Sequence, residues 1–327
     1  MMNKVMMTIA VLASGLVWSA ATLGRADGEE TTYTDPAKAG IDYRIQGEYI
    51  GEDIEGTRWG AQVIALGEGK FRIVGYRGGL PGDGWQRGDE RVQSEGSRTG
   101  NTATFDSPDY TTTIVNGVLR VRDGAGEVVA TLKKTHRKSP TLGAKPPKGA
   151  TVLFDGRSAD AFENGRLVMG NLLAANCWSK MKMGDHRMHI EFRTPFKPTA
   201  RGQARGNSGV YVQSRYEIQV LDSFGLDGAD NECGGIYKVA RPAVNMCFPP
   251  LEWQTYDIEF KAARYDADGK KTANARITVK HNGVVIHDDL ELPRATPGRH
   301  SEGPEKDGLY LQGHGNPVVY RNIWIVE

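Results

Sequence analysis

Along four stretches of the chain, polar residues recur at every second position with apolar residues between them. In Met188 to Arg193 the alternate set is His189, Glu191 and Arg193; in Tyr216 to Leu221 it is Glu217 and Gln219. In Val210 to Gln213 it is Tyr211 and Gln213, and in Leu309 to His314 it is Tyr310, Gln312 and His314. Side chains of a strand alternate between its faces, so each set lies on one face and the apolar neighbours form a core. For any single strand a solvated outer face explains such alternation. The residue types say more, because Tyr, Gln, His and Glu hydrogen-bond and stack against sugars, whereas an ordinary exposed face is rich in Lys, Glu and Thr. Two carboxylates with a histidine on one face also supply acid–base groups that simple binding does not require. The pattern predicts that the four strands share one curved sheet and line a polar, aromatic groove.

Other short motifs carry less. Gly206-Asn207-Ser208-Gly209-Val210 lacks the final glycine of G-x-S-x-G and reads as a tight turn. Asp266-Ala267-Asp268-Gly269 lacks the later ligands of a calcium loop and reads as a hairpin turn. His136, His186, His281 and His300 fall in or beside turns and loops, where solvated histidines are commonplace. The glycine-rich Gly78 to Trp85 lacks phosphate-cradle spacing and can only be a loop.

The elements that position these residues fall into two domains. From residue 41 to 136, strand-like runs at Ala61 to Leu66, Phe71 to Tyr76, Thr111 to Val115 and Val118 to Arg122 alternate with glycine turns, and Asn116-Gly117 marks a tight hairpin. This is a small β-rich domain of unassigned role. Residues 137–150 hold three prolines and two glycines, the composition of a semi-extended connector. Residues 151–327 carry many strand signals and almost no helical period, including the hairpin at Asn282-Gly283, and suit a two-sheet sandwich or jelly roll.

Composition bounds the function. With 41 Lys+Arg against 40 Asp+Glu the formal charge is +1, so no global field holds a polyanion and nonspecific nucleic-acid binding is disfavoured. At 39% apolar and 25% charged the chain is an ordinary globular protein. Residues 1–26 read as an export signal: Lys4, an apolar run from Val5 to Trp18, then small residues at Ser19-Ala20-Ala21 and Gly24-Arg25-Ala26. The run is shorter than a membrane span needs, so the expectation is a periplasmic or secreted protein with no membrane span after cleavage. Residues 27–40 are polar and read as a flexible segment. Cys177, Cys233 and Cys247 show no C-x-x-C spacing, so a structural zinc site has no support. They are either three buried thiols or one Cys233–Cys247 disulfide with a thiol left over.

From residue 151 to 327 the chain resembles the bacterial 3-keto-disaccharide hydrolase domain. The matching stretches are Leu153-Phe154-Asp155-Gly156, Ile190-Glu191-Phe192-Arg193, Asn207-Ser208-Gly209-Val210, Tyr216-Glu217-Ile218-Gln219-Val220-Leu221-Asp222, Gly235-Ile236-Tyr237, Leu311-Gln312-Gly313-His314-Gly315 and Arg321-Asn322-Ile323. Asp160-Ala161-Phe162 departs from the family where a tryptophan is usual, at a position that reads as packing. The resemblance implies an all-β, concanavalin A-like jelly-roll β-sandwich, and cleavage of glycosides whose sugar carries a ketone at C3.

That ketone acidifies the C2 hydrogen, so a general base can form an enolate that expels the aglycone from C1, and water addition completes a net hydrolysis. On this reading Glu217 or Glu191 is the base and His314 its partner or the acid. Arg193 polarises the carbonyl, and Asn207, Gln219, Tyr237 and Gln312 orient sugar hydroxyls. Direct hydrolysis by two carboxyl groups is the rival mechanism. The reading requires no cofactor, though calcium on Glu191, Glu217 and Asp222 would be an alternative carbonyl polariser. The implied partner is an upstream oxidoreductase that makes the keto group. A non-catalytic, lectin-like sugar-binding module is the competing class.

Overall fold

The computed structural model describes residues 31–327, and the expected leader over residues 1–26 lies outside them. The chain is nearly all β. Eight antiparallel strands between Gly47 and Thr135 close into a barrel, each paired with its sequence neighbour and the first, Gly47–Asp53, with the last, Val128–Thr135. Closure leaves no free edge. The expected hairpin at Asn116-Gly117 joins Tyr110–Val115 to Val118–Asp123, with both residues at positive φ (50° and 76°), as the tight turn requires. Four of the eight strands escape the periodicity. Arg91–Thr99 is one of them, a polar strand whose residues are nowhere fully buried. Tyr49, Val63, Phe71, Phe105 and Leu119 fill the interior.

The rest of the chain forms two facing sheets. The larger runs Leu167–Val168, Leu172–Ala174, Val319–Val326, His186–Arg193, Gln254–Lys261, Ala275–His281 and Val284–Leu292, and Thr151–Phe154 also pairs with Val319–Val326. The smaller runs Phe162–Glu163, Cys177–Met183, Asp307–Leu311, Ser208–Val212 and Tyr216–Val220. Val210, Val212, Ile218 and Leu311 of the smaller sheet and Ile190, Phe192, Ile258 and Ile323 of the larger belong to one core, the inward sets that alternation predicts. Phe162, at the family's usual tryptophan position, is buried there too.

Four expectations change. The strand His186–Arg193 belongs to the larger sheet, so only three of the four polar strands are neighbours. Residues 33–38 are not loose: Tyr33 bridges Phe196 through the backbone, and Asp35 caps a short helical turn. Ser208 starts a strand rather than a turn, and its hydroxyl donates to the Gln312 carbonyl (2.6 Å). His186 and His281 are buried rather than solvated, and burial pushes the His281 imidazole down to about 3. Asp266 to Gly269 is the expected turn, with the Asp266 carboxylate accepting from the Asp268 and Lys270 amides. All three cysteines are buried free thiols, and desolvation raises Cys177 to about 12.

The barrel is not an appendage. Ile64, Val74 and Tyr76 on its outer wall join the sandwich core. Arg87 donates to the carbonyls of Asp227, Gly228, Pro242 and Ala243, and Arg201 reaches back to the Leu66 carbonyl (2.7 Å). A chain starting at Thr151 is therefore expected to aggregate or to melt several degrees below the full chain, because it exposes the core beside Phe224 and Met246. Thermal melting with light scattering checks this; equal stability would make the barrel separable.

Candidate functional site

Each strand of the smaller sheet contributes one side chain to a straight row on its outer face. The register sets Glu163 opposite Trp178, Trp178 opposite Tyr310, Tyr310 opposite Tyr211, and Tyr211 opposite Glu217. Cross-strand partners lie on the same face, so the row reads acid, three aromatics, acid. The Tyr211 hydroxyl donates to Glu217 Oε2 (2.7 Å) and accepts from Gln312 Nε2 (3.2 Å). Trp178 Nε1 donates to Glu163 (2.5 Å), and the Tyr211 and Tyr310 rings lie 5.4 Å apart.

Glu217 is the chemically distinctive member. It is 2% exposed, and desolvation raises its carboxyl to about 7 against the single opposing hydrogen bond from Tyr211. No described residue donates to Oε1. That oxygen lies over Gly209, where a Cβ would stand 2.3 Å from it. Gly209→Ala is therefore expected to displace the carboxylate and to cut turnover by about 10- to 100-fold with little loss of stability. Steady-state kinetics beside a melting curve checks it.

A second polar cluster adjoins the row. Gln219 Nε2 donates to Asn207 Oδ1 (3.1 Å) and to Gln203 Oε1 (3.1 Å), and Asn207 Nδ2 donates to Gln203 Oε1 (2.9 Å). The Tyr237 amide donates to the Glu217 carbonyl (3.1 Å), which sets that residue beside the edge strand. Gln312 Oε1 is buried with no partner among the described residues, an acceptor available to a ligand hydroxyl. Of the residues named from sequence, Asn207, Gln219, Tyr237 and Gln312 thus gather around Glu217. His314 lies beyond the strand on an exposed loop, with no side-chain contact to Glu217.

Glu191 and Arg193 are elsewhere. Both belong to the larger sheet, and the outer face of that sheet is covered by the chain's own connector. Glu191 accepts from the Gly143 amide (2.6 Å), Asn322 (2.9 Å) and Arg321 (2.7 Å), and lies 3.4 Å from His189 Nε2. His189 Nδ1 bonds Asp257 (2.6 Å), which accepts from Thr141 (2.6 Å). Arg193 reaches the Thr34 carbonyl (3.3 Å) and lies over Trp253. Neither residue shares a face with Glu217, because a whole core separates the two outer faces. The calcium set fails for the same reason: Glu191 is remote, and Asp222 is held by Arg205 (2.7 Å). Residues 137–150 are thus a strap rather than a free connector.

Sequence reading missed the segment that closes over the row. Thr296 Oγ1 accepts from the Glu217 amide (2.9 Å) and donates to the Arg215 carbonyl (3.0 Å), and the His300 amide donates to Ser214 (3.0 Å). Between these anchors, the Pro297 carbonyl lies 3.3 Å from the Tyr211 hydroxyl, and Arg299 stacks over Tyr310 (4.1 Å) and Trp178 (5.8 Å). Nothing in the spacing of Arg294 to Ser301 signals this. Two concavities, about 470 Å³ at the barrel mouth beside Lys134 and about 550 Å³ beside Arg264, do not adjoin Glu217. The row is the candidate site because the raised carboxyl and the unpartnered Gln312 oxygen are there, under the covering loop.

A β-sheet face with one buried carboxyl, an aromatic row and clustered amides is that of a carbohydrate-active protein, and the comparisons agree. Residues 149–326, more than half of the chain, match the 3-keto-alpha-glucoside-1,2-lyase-like domain, and the chain belongs to that family. It is also similar to a solved candidate glycosyl hydrolase from Parabacteroides distasonis ATCC 8503, at 34% identity over 55% of this chain and 84% of that one, with a TM-score of 0.51. A second candidate glycosyl hydrolase from that organism is 16% identical over 55% of this chain and 94% of that one, with a TM-score of 0.40. No curated protein matches the chain. The function is that of a carbohydrate hydrolase-like enzyme.

Proposed function

We propose that the protein cleaves 3-keto-glycosides by abstracting the C2 proton with Glu217. The observation that carries this reading is the isolation of Glu217, a lone carboxyl raised to about 7 with one oxygen unpartnered. A general base works best when its pKa lies near the operating pH, and removal of a proton beside a ketone needs one base rather than two carboxyl groups. Direct hydrolysis needs a second carboxyl within roughly 5–10 Å. The row's other acid, Glu163, stands four strand steps away, roughly 19 Å at 4.8 Å per step.

In the proposed reaction, Glu217 Oε1 takes the C2 proton, the electron pair becomes an enolate with the C3 oxygen, and collapse of the enolate expels the aglycone oxygen from C1. Tyr211 holds the carboxylate through Oε2, and the amides of Asn207, Gln203 and Gln219 with Gln312 Oε1 meet sugar hydroxyls. The expelled aglycone oxygen takes up a proton from water or from His314 on the neighbouring exposed loop. The segment Pro297–Arg299, between its anchors at Thr296 and His300, lifts to admit substrate and closes to exclude water. The two facing sheets suit a concanavalin A-like jelly roll. An exported location and an oxidoreductase that supplies the ketone complete the reading.

Mass spectrometry of the protein with a 3-keto-glucoside and with its unoxidised parent, both in heavy water, tests it. The expected result is cleavage of the keto compound alone with deuterium at C2. Cleavage of both without deuterium would replace enolate chemistry by direct hydrolysis.

A further inference from the structure

The row holds more than the base needs. Tyr310 and Trp178 stand two and three strands away from Glu217, about 10 and 14 Å at 4.8 Å per strand, which is one sugar unit or more beyond the reacting carbon. A ring at that distance from the base belongs to the leaving group, not to the keto sugar. The shelf is built for a planar or pyranose face: Trp178 is only partly buried, its Nε1 is fixed by Glu163, and its ring is tilted toward Tyr310 at 6.4 Å.

Above the shelf lies an exposed cation. The Arg299 guanidinium lies over Tyr310, 4.1 Å from the ring centre, while the centre of the Trp178 ring is farther, at 5.8 Å. Among the described residues no carboxylate pairs with Arg299, although His300 beside it is paired with Asp307. A guanidinium held on aromatic rings without a counter-ion keeps its donors for a ligand. Arg299 also sits on the segment that closes over Glu217, anchored by Thr296 and His300, so it arrives at the leaving group as the site closes.

We propose that Trp178, Tyr310 and Arg299 form a leaving-group subsite that takes a ring and prefers one bearing a carboxylate. This rests on the reading of Glu217 as the base of a 3-keto-glycoside-cleaving site. Trp178 stacks on the ring, and Arg299 donates to its anionic substituent.

Three substrates separate the contributions: methyl, phenyl and 4-carboxyphenyl 3-keto-glucosides, assayed for KM and kcat with the wild-type protein, Trp178→Ala and Arg299→Ala. The expected result is a KM about tenfold higher for both aryl substrates in W178A, with the methyl glycoside unchanged. R299A should raise KM about tenfold for the 4-carboxyphenyl compound only. An equal effect of R299A on all three substrates, or none on any, would overturn the subsite. If the wild type cleaves none of them, the reading of Glu217 fails. Calorimetric titration with the same three compounds still decides the subsite, which requires tighter 4-carboxyphenyl binding in the wild type and loss of that advantage in R299A.

Discussion

Glu217→Gln is expected to abolish turnover of a 3-keto-glucoside, by roughly 10²- to 10⁴-fold, while leaving substrate binding nearly intact and making the protein more stable at pH 8. The first two effects follow from the chemistry: the amide keeps the shape and the bond from Tyr211 but cannot take a proton. The third follows from burial. The Glu217 carboxyl titrates near 7 in the folded protein and near 4.5 when exposed. Between those values the folded state keeps a proton that the unfolded state has released, so stability falls as pH rises through this window. Above pH 7 the full cost applies, about 3 kcal/mol from a 2.5-unit difference. Glutamine removes that cost, so the variant should gain stability at pH 8 and gain none at pH 4. In the wild type, kcat/KM should rise with pH to a plateau with an apparent pKa near 7. Retained turnover in E217Q would sink the base assignment. Retained binding with no turnover in either protein would leave a lectin-like module.

Three of the five strands of the smaller sheet were legible in the sequence because their signals are local, whereas Phe162–Glu163 and Cys177–Met183, which bring Glu163 and Trp178 to the row, carry no such alternation. Alternation in Tyr216 to Leu221 and Val210 to Gln213 fixed which side chains face out, and antiparallel pairing then brought Tyr211 opposite Glu217. The same rule misplaced Glu191 and Arg193. Period-2 alternation tells which face of its own strand a residue occupies, and says nothing about which sheet the strand joins or what covers it. His189, Glu191, Thr255 and Asp257 form a polar face for a reason internal to the chain, since Ser139 bonds Thr255, Thr141 bonds Asp257 and Gly143 bonds Glu191 from a remote segment. The strap's composition suggested only a connector, because its anchoring depends on partners 48 to 180 residues away. Arg299 was illegible for a similar reason. It lies in a stretch with no period, and the anchors at Thr296 and His300 with the close approach of Pro297 to Tyr211 set it over Tyr310.

Glu191 yields the opposite result from Glu217 when it is changed. Burial alone would raise its carboxyl, but hydrogen bonds from His189, Asn322, Arg321 and the Gly143 amide outweigh that and hold it down to about 2. His189 is raised in turn: desolvation works against its charge, and the bonds to Asp257 and Glu191 prevail. The network is therefore a buried ion cluster that clamps the strap 139–144 to the larger sheet. Glu191→Ala strips the acceptor from the Gly143 amide and Asn322, takes the carboxylate from Arg321 and leaves His189 with Asp257 alone, a loss of about 3–5 kcal/mol. The melting midpoint should drop by about 5–10 °C, and the Gly143 amide should exchange faster with solvent. In the wild type a carboxyl held below its exposed value of 4.5 contributes stability at neutral pH that drains away as pH falls from about 4.5 to 2. Activity per folded molecule should stay near the wild-type level, because a closed core separates this face from Glu217. A variant that kept its melting midpoint and lost kcat would return Glu191 to the chemistry. A variant that melts early and still turns over would establish that two acidic residues in look-alike alternating strands do different work, one anchoring the fold and the other taking the proton.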